Sequence, residues 1–194
     1  MAHGRLRIYL GVSPGAGTTH ALLDEAARRA RRGGHVVVGQ LDATPRRPPS
    51  GGVVADPAAD PAPERVLPPG TWDLDVVLRA APDVVLFDDL EAPLDGDPGR
   101  QRWQAAQQVV DAGVDVIACT EVTAVASLSD EVERWTGRAP AHTVPDVFLA
   151  AADQVQLVDM APEALRRRLA HGGILSAGEM DAALARQFSV PALA

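Results

Sequence analysis

The chain has 194 residues and a mass of 20.3 kDa, is 46% apolar and 23% charged, and carries a formal net charge of −8. That is one domain's worth of chain with ample material for a core, which excludes disordered, collagen-like and mini-protein classes. The acidic balance excludes general affinity for nucleic acid, because counterion release needs clustered cations. No stretch approaches the roughly 18 apolar residues of a membrane-crossing helix, and Met1–Arg5 has no apolar leader, so direct membrane insertion is not expected and a cytoplasmic location is. The lone Cys119 forbids an internal disulfide and fits a reducing compartment. All 18 basic residues are arginine, so no lysine chemistry is available in cis.

Arg5–Leu10 reads as a short buried strand, and the glycines of Gly11–Gly17 forbid either regular element after it. Thr18 and Thr19 open a helix that runs through Arg32, with Ala21, Leu22, Ala26 and Ala30 at helical spacing and Gly33-Gly34 as its stop. His35–Leu41 is an apolar, β-branched run expected of a strand covered on both faces. Residues 42–70 hold eight of the 16 prolines and form a long loop inside the domain.

A short helix at Asp75–Ala81 then leads to a strand at Val84–Phe87. An acidic, turn-rich segment over Glu91–Gly99 precedes a helix at Arg100–Asp111. A strand at Val114–Cys119, a helix at Val122–Trp135 and a strand at Gln154–Val158 come next, followed by helices at Pro162–Ala170 and Met180–Phe188. Alternation of this kind predicts an α/β fold, an open parallel sheet with helices on both faces, in one domain over residues 1–194. Ligands on such sheets sit beyond the carboxyl ends of the strands. The loops after Leu10, Leu41, Phe87, Cys119 and Val158 are therefore the places to look.

Two segments carry chemistry. A phosphate loop needs inward backbone N–H groups, a helix N-terminus, a lysine for the terminal phosphates and a hydroxyl for magnesium. Gly15, Gly17 and Thr19 meet three of these needs, but Thr18 stands at the lysine position and Val12 where the first glycine belongs. A descended phosphate loop and an ordinary glycine-rich turn are both open on this evidence. The second segment is Val84–Asp89, a hydrophobic strand that delivers two carboxylates to the ligand edge. Asp88 is placed to hold magnesium with Thr19, and Asp89 to polarise an attacking water if the site is active. The bland alternative is a solvated turn.

The resemblance that ties these segments together runs from Arg5 to about Phe188. Arg5–Thr19, Asp97–Gln104, Ala112–Ile117, Val144-Pro145-Asp146, Ala152–Asp159 and Pro162–Gly172 are similar, in that order, to the N-terminal cytoplasmic sensor domain of the KdpD family of sensor histidine kinases. The resemblance implies a P-loop NTPase-like regulatory domain of a two-component potassium and osmotic signalling system. It implies ATP with magnesium as cofactor, at Gly15, Ala16, Gly17, Thr18 and Thr19 with Asp88 and Thr19 on the metal. It further implies a histidine kinase or universal-stress-like domain as partner, and a nucleotide or cyclic dinucleotide as ligand. No phosphoacceptor histidine motif or kinase ATP lid is found, so either a free-standing relative or the sensor part of a split system is expected.

The departures from the family pattern are concentrated in polar side chains. The family's glycine-lysine-threonine is Gly17-Thr18-Thr19, its acidic strand end continues here as Asp88, Asp89, Leu90, Glu91, Ala92, Pro93 and Leu94, and a later polar run has become Glu121, Val122, Thr123 and Ala124. A lysine–phosphate bond contributes about 1.5–3 kcal/mol, so its loss weakens binding roughly 10- to 150-fold. Glu91 and Glu121 beside a polyanion add to the loss. The expectation is a retained fold with an eroded nucleotide site and no turnover. The competing reading is an active ATPase or phosphotransferase in which Arg100 or Arg102 replaces the lysine, set against a solvated helix start for both.

Among lesser signals, Cys119 is expected to be a buried small hydrophobe, and His3, His20, His35, His142 and His171 lack metal-ligand spacing. Arg166-Arg167-Arg168 reads as a solvated helix face. Trp72, Trp103 and Trp135 are expected in the core.

Overall fold

A computed structural model describes residues 3–41 and 62–160. The expected helices at Pro162–Ala170 and Met180–Phe188, the Arg166–Arg168 run, His171 and residues 42–61 of the proline-rich loop lie outside the described residues. Seven strands and five helices follow in chain order: β1 (Leu6–Gly11), α1 (Thr18–Arg31), β2 (Val36–Gln40), α2 (Leu74–Arg79), β3 (Val84–Phe87), β4 (Pro93–Leu94), β5 (Asp97–Gln101), α3 (Arg102–Asp111), β6 (Asp115–Glu121), α4 (Ser129–Thr136), α5 (Asp146–Ala150) and β7 (Gln154–Val158).

Five of the strands form one parallel sheet in the order β2-β3-β6-β1-β7. Strand β1 sits between β6 and β7, so the chain leaves β1 to build one side of the sheet and crosses back over it to add β7. The carboxyl ends of β1 and its neighbours are thus the place where loops diverge and leave a crevice. Two apolar clusters cover the two faces. Tyr9, Leu86, Ile117 and Cys119 meet Leu22 and Ala26 of α1 on one side. Ile8, Val85, Phe87 and Ala118 meet Val77 of α2, Ala105, Ala106 and Val109 of α3, and Phe148 of α5 on the other. The near-continuous apolar runs of β2, β3 and β6 follow from this double burial.

The structure corrects several expectations. The segment before α3 is not only turn: Pro93 pairs with Gln101 and Leu94 with Asp97 in a small antiparallel hairpin, and the helix starts at Arg102, where Gln101 and Gln104 form a capping box. The long helix expected from Val122 begins only at Ser129. Before it lie two single-turn 3-10 helices, Val122–Ala124 and Ala126–Leu128, interrupted where Val125 turns extended to pair with Val144. The Ala126 N–H donates to the Val144 carbonyl at 3.0 Å and the Val144 N–H to the Ala124 carbonyl at 2.7 Å. Gly137 ends α4 in the left-handed conformation, as its position implies. Trp72 and Trp103 pack on the core beside Phe87 and Phe148, but Trp135 is 69% exposed and does not.

Candidate functional site

The turn after β1 has the backbone that its glycines suggest. Gly15 and Gly17 take φ of 82° and 107°, a region that costs glycine nothing. Helix α1 starts directly behind them with no side-chain cap and no acidic residue in its first turn. Its leading N–H groups therefore keep their partial positive charge toward the loop. Ser13 is buried, and its hydroxyl has no hydrogen-bond partner among the described residues. The loop is closed tightly on itself: a Cβ on Gly11 would stand 2.8 Å from the Thr18 methyl group. At the lysine position, then, a short side chain folds back onto the end of β1.

Strand β3 delivers its carboxylates to the same edge. The Thr19 hydroxyl donates to Asp88 Oδ1 at 3.2 Å, across 69 residues of sequence. Of the expected site residues, the structure thus brings Thr19 and Asp88 together. Asp88 is buried, and Cys119 on the intervening strand β6 donates its thiol to the same Oδ1 at 2.5 Å. Burial, and then the Asp88 charge, push the Cys119 thiol well above its ordinary range, so it stays protonated and serves as a donor. Cys119 is fully buried, as its sequence context suggests. Asp89 follows in the left-handed region at φ 45°, its N–H on Asp88 Oδ1 at 3.1 Å. Aspartate tolerates that conformation better than most residues.

Further acidic groups complete the edge. The Thr120 hydroxyl donates to Glu91 Oε2 at 2.7 Å. Burial raises the Glu91 carboxyl above its ordinary value, and the Asp88 charge adds to it against the pull of Thr120 and Arg102. Glu121, at the end of β6, is pushed up to about 8 by burial first and then by the charges of Glu91 and Asp89. It is therefore largely protonated at neutral pH.

Arg102 is the main correction here. A solvated helix start is the ordinary reading of arginine at that position, yet the residue is only 3% exposed and its Nη1 donates to the Asp88 carbonyl at 3.0 Å. Arg100, on β5, bonds the Gln108 side chain at 2.7 Å. Neither of these two contacts points to the glycine turn. The sequence signal for Arg102 was faint, because an arginine heading an amphipathic helix is nearly always exposed.

The donor set divides in two when tested against a magnesium nucleotide. The Thr19 hydroxyl and Asp88 suit a hard divalent ion, while the bare α1 N-terminus and the unsatisfied Ser13 hydroxyl suit an anion. The missing lysine and the Asp89 carboxylate oppose a triphosphate, and the acidic Glu91 and Glu121 offer no cation to offset the loss. Asp88, Asp89 and Cys119 also place one donor atom each within 4.8 Å of one another, but a metal there would have to displace a thiol proton held by burial.

The fold and this edge define a class: an open parallel α/β domain in which a glycine turn and a carboxylate-bearing strand end meet at one edge of the sheet. The family follows from comparison. The model of the osmosensitive K+ channel His kinase sensor domain, KdpD, matches residues 2–194, and the chain belongs to that family. It is 42% identical over 193 residues to a sensor protein KdpD of Mycobacterium tuberculosis, covering 95% of this chain and 22% of that protein. It is 35% identical over 191 residues to the Escherichia coli sensor protein KdpD, covering 95% of this chain and 21% of the relative. A putative sensor protein KdpD of Synechocystis is 28% identical over 194 residues and is covered over 51% of its length. The chain thus spans about a fifth of the first two relatives and about half of the third. Among the described residues no helix is long and apolar enough to cross a membrane.

Proposed function

We propose that the chain is the regulatory sensor module of a KdpD-type two-component potassium and osmotic signalling system, built on a P-loop-like turn that binds nucleotide weakly and does not turn it over. The observation that carries this reading is the Thr19–Asp88 contact across the sheet edge, combined with a threonine packed back on Gly11 where a phosphate-gripping lysine would extend. On this reading the hydroxyl and carboxylate of a magnesium-nucleotide site are kept, while the cation that would grip the phosphates is gone and acidic groups stand nearby. When bound, magnesium would neutralise phosphate charge; Thr19 and Asp88 are the residues to hold it, and the N–H groups of Gly15 to Thr19 would orient the anion.

Occupancy of this crevice would be read by a histidine kinase or stress-protein-like domain, matching relatives several times longer than this chain. A working ATPase with arginine in the lysine's role fits less well, because Arg102 is held under Asp88 and Arg100 against Gln108.

Calorimetric titration with ATP, ADP and cyclic dinucleotides, with and without magnesium, tests the reading on wild type and Thr18→Lys. Weak magnesium-dependent binding by wild type, tightened roughly 10- to 150-fold by the substitution, is expected. Brisk phosphate release by the wild-type protein, abolished by Asp88→Ala, would replace the sensor reading with an enzyme.

A further inference from the structure

At the amino end of β2, opposite the glycine turn, three segments converge on one histidine. His35 follows the Gly33-Gly34 stop of α1. Its N–H donates to Asp83 Oδ2 at 2.8 Å, and its carbonyl accepts from the Asp83 N–H at 2.9 Å, which fixes it to the turn between α2 and β3. Its ring Nε2 lies 2.7 Å from Glu64 Oε2.

Glu64 belongs to the return leg of the proline-rich segment, and that leg is laid along the edge strand by two main-chain bonds. The Val38 N–H donates to the Glu64 carbonyl and the Glu64 N–H to the Val36 carbonyl, both at 2.8 Å. The next residue, Arg65, reaches the Leu41 carbonyl at 3.5 Å. The imidazole thus ties the main-chain docking of this leg to the turn between α2 and β3.

We propose that the His35–Glu64 pair is a pH-responsive latch, which holds the Glu64 leg on the edge of β2 while the imidazole carries its proton and loosens it when that proton passes to solvent.

The charges around the ring agree with this assignment. Glu64 faces it from the return leg and Asp83 from the α2–β3 turn, both acidic. The hydrogen bond with Glu64 is the chief cause that holds the imidazole above its ordinary 6.5, aided by the Ala81 main chain and opposed by slight burial. Ala81 takes an unusual φ of 48°, at the end of α2. The cations nearby, Arg29 and Arg32, line a groove together with Gly34 and Asp83, and Arg29 is engaged by Glu25 and Asp115. For a group whose docked pKa is raised, the stabilisation is complete below the undocked value and is lost as pH rises through the docked one. The latch therefore closes in mild acid and opens toward alkaline pH, within the range a cell can reach.

The test follows two signals in the full chain: the NMR titration of the His35 ring, and the exchange protection of the Val38 and Glu64 amides corrected for intrinsic rate, with the Ile117 amide as monitor of global opening. In wild type the ring is expected to titrate above 6.5. Protection of Val38 and Glu64 should fall about two- to fivefold between about pH 5.5 and about pH 8.5, the range set by an exposed ion pair. Glu64→Gln, which keeps the hydrogen bond and removes the charge, should lower the midpoint and flatten the pH dependence, and His35→Gln should abolish it. A wild-type ring that titrates at or below 6.5, or Val38 and Glu64 protection that is the same at both pH values, overturns the latch. Neither outcome bears on nucleotide binding at the other end of the sheet.

Discussion

The two ends of the parallel sheet treat charge in opposite ways. At the amino end, carboxylates are matched with guanidinium groups. Glu25 meets Arg7, Arg28 and Arg29 at 2.9–3.2 Å, and Asp115 meets Arg29 at 3.2 Å. Burial raises the Glu25 carboxyl, but hydrogen bonds from Arg28 and Arg29 and the charge of Arg7 outweigh it and leave the group below its ordinary value. At the carboxyl end, Asp88, Asp89, Glu91 and Glu121 crowd together over the guanidinium of Arg102, and two of the four are pushed upward. Among the described residues, guanidinium groups pair the carboxylates at one end and acidic groups crowd at the other. Raised carboxyl groups at the divergent loops of a sheet are the mark of a site shaped for something other than stability.

Substitutions at the two ends should separate these roles. The largest effect is expected from Arg102→Met, which removes a buried donor from the Asp88 carbonyl and a cation from beneath the carboxylates. Urea unfolding should show a loss of roughly 3 kcal/mol, and an unchanged midpoint would mean that the acidic edge does not depend on this residue.

Glu121→Gln should act in the other direction. With its folded pKa raised to about 8 from 4.5, Glu121 binds more protons folded than unfolded, so its contribution to stability declines as pH climbs between those values. The amide variant should be more stable than wild type by roughly 1–2 kcal/mol near the upper end of that window, and equal to it in acid. Thermal melts across the window would show the two curves diverge.

The smallest effect belongs to the amino end. Glu25→Gln should cost about 1 kcal/mol at neutral pH. Because its folded pKa is lowered, that stabilisation is present above the ordinary 4.5 and disappears as pH falls through the folded value. The deficit of the variant should therefore vanish in strong acid, the reverse of Glu121.

Much of this was legible in the sequence wherever periodicity or backbone chemistry is local. Strand β7 has the expected bounds, Gln154–Val158, and α1 begins at Thr18 behind the glycine turn as expected. That Thr19 and Asp88 lie at one edge was legible too, since Thr19 opens the helix behind the glycine turn and Asp88 directly follows an apolar strand. The misses have two physical causes: contacts distant in sequence, and elements too short to show a period. Val125 leaves the helical path only because Val144 offers it a main-chain partner. The β4–β5 hairpin is too short to show alternation. Helix α5, at five residues, is too short to show a helical period. Burial of Arg102 is decided by a carbonyl 14 residues upstream.

The bridge from Glu64 to Val37 also bears on how the domain behaves in company. A sheet margin with open N–H and C=O groups is a template on which a neighbouring chain can polymerise. With Glu64 laid along it, the Val36–Val38 stretch of the β2 margin is occupied by the molecule's own backbone, which hinders growth of intermolecular ladders from that side at the cost of a single short segment.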